Sequence, residues 1–145
     1  GQRELAQAVY QGATSARCVL AQAPTGIGKT IGTLFPLLKA APAQRLDKVF
    51  FLTAKTSGRS LAQGAVALLK QATPTLPLRV LELVARDKAC EHPDKACHGD
   101  SCPLAKGFYD RLPHARAAAV QVGASERGAL RSVALEHAVC PYYLA

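Results

Sequence analysis

The segment 22–30, with the sequence QAPTGIGKT, constrains the fold of this chain more than any other feature. It follows an apolar run, residues 18–21, which predicts a buried strand, and it leads into a segment of helical character. Gly26 and Gly28 allow backbone torsions that a side chain would forbid, so successive N–H groups can close around a phosphate. The spacing is that of a phosphate-binding P-loop, with Ala23 at the first glycine position of the general pattern.

The form Ala-x-x-Gly-x-Gly-Lys-Thr is common in helicase-type P-loops, and it predicts the chemistry of the loop. Lys29 supplies a positive charge for the β- and γ-phosphates of ATP, and the Thr30 hydroxyl suits Mg²⁺, so these two are the expected catalytic residues. A helix that begins here would turn its positive end toward the anion. Gln2, at the start of a predicted amphipathic helix over residues 2–14, stands where a glutamine often contacts the adenine edge. The expected cofactor-binding residues are Gln2, Ala23, Pro24, Thr25, Gly26, Ile27, Gly28, Lys29 and Thr30.

The segments after the P-loop predict an α/β fold with parallel strands. A helix is expected over residues 29–41, with Pro42 as its end. The run 49–52 is short, continuous and apolar, which is typical of a buried parallel strand. Strand, P-loop, helix and strand make a βαβ unit with a right-handed crossover. A further helix over 58–72 and a third strand over 78–84 are expected to follow.

The polar segment after the second predicted strand is a candidate nucleic-acid contact. Ligands of open α/β sheets bind outside the carboxyl ends of the strands, where hydroxyls, N–H groups and cations can hold a phosphate backbone. Alternatively, Thr56 or Ser57 caps the next helix and the charges are incidental. The expected DNA-binding residues here are Thr53, Lys55, Thr56 and Arg59.

Charge and hydropathy limit the classes of partner. The net charge is +8, and residues 1–83 carry ten Lys and Arg against three Asp and Glu, a net of +7. This excess suits nucleotide and nucleic-acid phosphates, although a charge that only confers solubility would look the same. No run of about 18 apolar residues is present, so no membrane span is expected. The chain has no Met, and we expect it to be a fragment or a processed product.

The last part of the chain, residues 85–145, is expected to be a domain separate from residues 1–84. It holds four of the five cysteines: Cys90, Cys97, Cys102 and Cys140. Disulfides fit poorly with a P-loop protein, which is almost always intracellular, so metal ligation is the better interpretation. The spacing leaves open a [4Fe–4S] cluster, a Zn²⁺ site that His92 or His98 could complete, and free thiols. Cys18 is expected to be a small buried residue.

Four segments together resemble the XPD/DinG family of iron–sulfur superfamily 2 DNA helicases. Residues 23–30 are similar to motif I of that family, and residues 51–56, FLTAKT, are similar to motif Ia. Residues 85–90, ARDKAC, resemble the segment with the first cluster cysteine, and residues 140–143, CPYY, resemble the segment with the last one. The resemblance covers nearly the whole chain.

The resemblance implies a fold and a set of cofactors. The fold class is α/β: a partial RecA-like P-loop motor domain with parallel strands, then a small, mainly helical insert with helices around 103–120 and 125–139. The cofactors are ATP, Mg²⁺ and a [4Fe–4S] cluster, whose implied ligands are Cys90, Cys97, Cys102 and Cys140. Arg86, four positions before the first of these cysteines, is implied to lie near DNA.

The implied activity is ATP-driven 5′→3′ translocation on single-stranded DNA, with the cluster domain at the fork junction. The implied partners are single-stranded DNA or a fork junction and the remainder of the helicase chain with its second motor domain. We further expect a DNA-repair protein that is cytoplasmic, bacterial and not bound to a membrane, and a fragment that is monomeric.

The chain also departs from the family. The family requires an Asp-Glu pair to hold Mg²⁺ and activate water, and no Asp-Glu dipeptide occurs in this sequence. The arginine finger and the second motor domain are also missing, so we expect this piece to bind nucleotide without hydrolysing it. One alternative is a zinc-stabilised nucleic-acid-binding P-loop module that does not translocate. Another is a P-loop regulator or kinase of a different kind.

Overall fold

The structure, a computed structural model, describes residues 1–123 and 126–145, without the side chain of Thr56. The chain divides into two compact units, residues 1–76 and 77–145. None of the helices in the described residues has the length and apolar character needed to cross a membrane. These helices are α1 (Gln2–Thr14), α2 (Lys29–Gln44), α3 (Thr56–Ala72), α4 (Arg86–Ala89), α5 (Phe108–Gln121), α6 (Arg127–Glu136) and α7 (Pro141–Leu144).

The first unit is built from α1, α2 and α3, which pack on one another in chain order. A Cβ atom at Gly32 of α2 would stand 3.5 Å from the Leu5 side chain of α1, which is van der Waals contact, so the two helices lie close together at this point. At Gly12 of α1, a Cβ would lie 2.3 Å from a methyl group of Val19. Any side chain at Gly12 would therefore displace the segment that leads into residues 22–30.

Helix α2 confirms the predicted start at Lys29 but continues past the predicted end. It includes Pro36 and Pro42, and it ends at Arg45, which has φ +52° in the left-handed region. The N–H of Arg45 donates to the carbonyls of Ala41 and Pro42. A proline removes one helical hydrogen bond, but its φ is compatible with a helix. The helix therefore continues through Pro42 and ends at the left-handed cap residue Arg45.

The predicted α/β fold class is wrong, because the described residues contain helices and no strand. No backbone hydrogen bond joins the runs 18–21, 49–52 and 78–84 to one another in the described residues. Phe50 is 70% exposed and Leu52 is 88% exposed, so the second run is not buried either. A parallel strand is stable only when neighbouring strands satisfy its backbone and helices cover both faces. An apolar run indicates a tendency to be buried, but it does not supply those partners.

The second unit has a helical core. Buried Ala115 of α5 packs with Leu130, Val133 and Ala134 of α6 and with Val139 and Leu144 near the end of the chain. Helices α5 and α6 confirm the two expected helices within shorter bounds. Ser125, the expected start of the second of them, lies outside the described residues. The segment with the last cysteine thus begins on a packed surface, because Val139 is fully buried.

A left-handed residue at the end of α6 sets the direction of this last segment. Ala138 has φ +52°, and its N–H donates to the carbonyl of Leu135 at 3.0 Å. The N–H of Val139 donates to the carbonyl of Ala134 at 2.8 Å. These two bonds form a Schellman cap, in which glycine is the usual residue at the position of Ala138.

Ala138→Gly should stabilise α6 by about 0.5–1 kcal/mol, because glycine relieves the left-handed strain and loses part of that gain to chain entropy. The matched control is Ala129→Gly, an exposed position inside the same helix, which should destabilise α6 by about 1 kcal/mol. Hydrogen-exchange free energies of the α6 amides measure both changes. A loss of protection in Ala138→Gly would contradict the cap assignment.

Candidate functional site

The loop before α2 has positive φ angles at both of its glycines. Gly26 has φ +89° and Gly28 has φ +77°, so both glycines adopt torsions that side chains disfavour. Gly28 is the N-cap residue of α2. The first N–H groups of a helix have no partners within it and carry the positive end of the helix dipole. The loop and the helix start therefore present backbone donors at one place.

Lys29 closes this loop in the structure. Its Nζ donates to the carbonyl of Pro24 at 2.6 Å and to that of Ala23 at 3.2 Å. These acceptors are neutral, whereas phosphate oxygens are charged and form stronger hydrogen bonds with an ammonium group. An arriving phosphate would therefore compete well for the same donors. Thr30 is half-buried in the first turn of α2.

Gln2 lies against the loop. Its side-chain Nε2 donates to the carbonyl of Gly28 at 3.4 Å. A Cβ at Gly28 would stand 2.3 Å from that nitrogen, so a side chain there would have to displace the flexible end of Gln2. A shallow pocket between α1 and α2 is lined by Gln2, Arg3, Ala6, Ile31, Gly32 and Phe35.

The residues expected to bind DNA are divided between the two units. The Thr53 hydroxyl already has a partner nearby in the sequence, because it donates to the carbonyl of Lys55 at 3.0 Å. The Thr53 side chain also packs closely on Gly58, where an added Cβ would stand 2.7 Å from the Cβ of Thr53. Lys55 is exposed and Arg59 is half-buried. The side chain of Thr56 lies outside the described residues. The exposed Arg86 begins α4 in the second unit, so these residues do not form one surface within a single unit.

None of the five cysteines forms a disulfide. Cys97 is exposed, whereas Cys90, Cys102 and Cys140 are half-buried. Cys18 is exposed, so the expectation that it is buried is wrong. Four unpaired thiols are the right donor chemistry for an iron–sulfur cluster or zinc. However, no three His, Cys, Asp or Glu side chains among the described residues form a group that could hold a metal ion.

Two arginines of α6 hold the segment around Cys90. Arg127 donates through Nη2 to the carbonyl of Lys88. Arg131 forms a two-point ion pair with Glu91, with Nε to Oε1 at 2.6 Å and Nη2 to Oε2 at 2.7 Å. The residues on both sides of Cys90 are thus fixed to the same helix. Helix α4, which ends at Cys90, also contacts α7, which begins after Cys140.

Arg111 of α5 connects the other two half-buried cysteine segments. Its Nη2 donates to the carbonyl of Lys106 and, at 2.8 Å, to the carbonyl of Ala138. Lys106 closes the turn that begins at Cys102, because its N–H donates to the Cys102 carbonyl at 3.2 Å. Ala138 lies two residues before Cys140. The segments of three of the four cysteines are therefore bound to one helical core by arginine side chains.

Sequence analysis did not identify Arg111, Arg127 or Arg131. Their acceptors lie far away in the sequence or are backbone carbonyls, which no residue pattern reveals. Glu91 beside Cys90 was an available signal, because a carboxylate in a basic chain can pair with an arginine.

The ion pair predicts a pH dependence. The hydrogen bonds from Arg131 hold the pKa of Glu91 below its ordinary value of 4.5, against partial burial, which raises it. Because the folded pKa is the lower one, the stabilisation is present above about pH 4.5 and is lost as the pH falls through the folded pKa. The pair is half exposed on the arginine side, so its contribution is at most about 1 kcal/mol.

Glu91→Gln should therefore lower the thermal midpoint of the second unit at neutral pH and leave it nearly unchanged at pH values below the folded pKa. Circular dichroism melts across this pH range measure the difference. Glu136→Gln, at an exposed position on α6, the helix that carries Arg131, is the control. Its thermal midpoint should depend on pH as that of the parent chain does. Equal pH profiles for the parent and Glu91→Gln would show that the ion pair does not support the Cys90 segment.

Comparison of the chain with protein-family models, with curated proteins and with solved structures gave no match.

Proposed function

We propose that this chain is the nucleotide-binding part of an ATP-dependent DNA helicase that translocates on single-stranded DNA in the 5′→3′ direction. The observation that carries the proposal is the loop 23–30, in which two glycines with positive φ precede a helix that begins with Lys29 and Thr30. The resemblance of the other segments to iron–sulfur helicases directs this nucleotide site toward DNA rather than toward another substrate.

The proposed binding mode of ATP follows from the loop. The phosphates occupy the backbone donors before and within the first turn of α2, and Lys29 exchanges its two carbonyl acceptors for phosphate oxygens. The Thr30 hydroxyl is a ligand of Mg²⁺. The adenine base lies at the pocket between α1 and α2, where Gln2 supplies an amide that can donate and accept hydrogen bonds.

Binding and hydrolysis are separate functions in this proposal. Without an Asp-Glu pair, the chain has no group of that kind to hold the metal and orient the attacking water. Hydrolysis and translocation belong to a longer chain that supplies this pair, an arginine finger and a second motor domain.

The proposed DNA contacts use the positive charge of the chain. Residues 1–83 have a net charge of +7, and the exposed Lys55 and Arg86 can pair with phosphates. Single-stranded DNA or a fork junction is the proposed partner. The unpaired thiols fit a reducing compartment, and we propose a cytoplasmic protein.

We further propose that the four thiolates of the second unit hold a [4Fe–4S] cluster. Support comes from their free state and from the arginine contacts that fix three of the four segments to one core. No three of these thiols form a ligand group in this structure, so binding would have to bring the cysteine segments closer together. When bound, the cluster would cross-link a small unit that buries few large side chains.

Lys29→Ala should weaken the binding of ATP and Mg²⁺ about 100-fold, because the phosphate charge loses its charged donor. Isothermal titration calorimetry measures this change. Lys39→Ala, at an exposed position further along α2, is the matched control and should bind as the parent does. ATP affinity that is unchanged in Lys29→Ala would refute the P-loop assignment.

Cys102→Ser should remove the cluster and reduce hydrogen-exchange protection over residues 77–145, while residues 1–76 keep theirs. Iron, sulfide and zinc analysis of the same samples identifies what is lost. Cys18→Ser, in the first unit, is the control and should keep its full metal content. Zinc in the parent chain would favour the zinc-stabilised module, and a second unit equally protected in Cys102→Ser would exclude a structural metal.

A further inference from the structure

The pocket between α1 and α2 is continuous with the loop that precedes α2. Gln2 belongs to both, because its side chain lines the pocket and its Nε2 donates to the carbonyl of Gly28 at 3.4 Å. Ile31 also lines the pocket, and a Cβ at Gly28 would stand 3.5 Å from a methyl group of Ile31. A molecule bound by the loop therefore has the pocket directly beside it.

The size of the pocket limits what it can hold. Its volume is about 250 Å³, which is below the range of about 300–1,000 Å³ for pockets that enclose drug-sized ligands. The pocket thus fits a group of the size of one nucleobase rather than a whole nucleotide. The phosphates and the base of a nucleotide would be bound at two adjoining places.

Phe35 is the aromatic residue among those that line this pocket. It is 47% exposed, so much of its ring is available for contact with a ligand. Lys29 and Phe35 are separated by about 9 Å along the axis of α2, a distance that the ribose and phosphates of a nucleotide can span. The Nζ of Lys39 lies 6.0 Å from the ring centroid, at the outer limit of a cation–π contact, so this contact holds the ring only weakly.

We propose that Phe35 is a specificity-determining residue of the nucleotide site, and that its ring stacks on the base of the bound nucleotide. The proposal rests on the proposed nucleotide site and adds a role that the loop sequence does not assign. Stacking on an aromatic side chain uses the flat face of a base. Because a purine has two fused rings and a pyrimidine has one, the site should favour purine nucleoside triphosphates.

Two ligands separate stacking from a general effect on the loop. Phe35→Ala should weaken the binding of ATP about 10-fold, because the base loses its aromatic partner. It should leave the binding of inorganic tripolyphosphate unchanged, because that ligand has phosphates and no base. Phe35→Tyr keeps an aromatic ring and is the control that should bind ATP as the parent does. Isothermal titration calorimetry with Mg²⁺ present measures these affinities, and CTP should bind the parent more weakly than ATP.

A second measurement uses the absence of tryptophan from the chain. Phe35→Trp places a single tryptophan at the proposed stacking position, so ATP should quench its fluorescence and tripolyphosphate should not. Phe50→Trp is the matched control, since Phe50 lies in the same unit, is 70% exposed and does not line the pocket. Its fluorescence should not respond to ATP. Circular dichroism of each variant establishes beforehand that the helices are intact.

ATP affinity that is the same in Phe35→Ala and in the parent would overturn the stacking role. Equal losses of ATP and tripolyphosphate affinity would also overturn it, because they would show that Phe35 only supports the loop. A parent chain that binds neither ligand would overturn the nucleotide site and this inference together. A parent chain that binds both, with fluorescence of Phe35→Trp that ATP does not change, would overturn this inference alone.

Discussion

The second unit depends on arginine side chains that bind backbone carbonyls and one carboxylate. Arg111 joins the segments of Cys102 and Cys140, and Arg127 and Arg131 hold the segment of Cys90 against α6. The fully buried side chains of this unit are small, and the largest of them is Val139. A core of that size offers little apolar surface against which the long loops could pack. Polar contacts from the arginines hold these loops in place. These contacts keep three thiols near one core, whereas the loop with Cys97 has no comparable attachment among the described contacts.

In the first unit, the loop before α2 holds a positive charge and backbone donors in place with no ligand bound. Gly26 and Gly28 supply the torsions, and Lys29 is satisfied by the carbonyls of its own loop. The ammonium therefore has acceptors in the absence of phosphate. These two hydrogen bonds tie Lys29 to its own loop. In the proposed complex, phosphate oxygens replace the carbonyls, because a charged acceptor forms the stronger hydrogen bond. Gln2, at the start of α1, donates to the same loop, so the proposed nucleotide site uses residues at the starts of both α1 and α2.

The sequence predicted local features well and long-range features poorly. The loop 23–30 was recognisable because its residues are contiguous. Helical periodicity predicted the bounds of α1 and the end of α3, whereas α3 begins at Thr56 and not at the expected residue 58. The strand over 49–52 was wrong because pairing depends on other segments, and the apolar residues of that run remain exposed in this structure.

The same reasoning explains what the sequence could not show about the site. Cysteine spacing identified candidate ligands, but the spacing of Cys90, Cys97, Cys102 and Cys140 contains no information on what holds their loops. Arg111 donates to the carbonyl of Lys106, which precedes α5, and to that of Ala138, which follows α6. Every residue has a backbone carbonyl, so the sequence does not show which ones will accept a hydrogen bond.

The central claim is that the four thiols of the second unit meet at one inorganic centre. Iron, acid-labile sulfide and zinc, measured per chain on protein isolated without oxygen, test it most directly. The account predicts iron and sulfide in the amounts of one [4Fe–4S] cluster per chain and no stoichiometric zinc. Freshly isolated chain that holds neither iron nor sulfide, and that takes up none on anaerobic reconstitution, would contradict it.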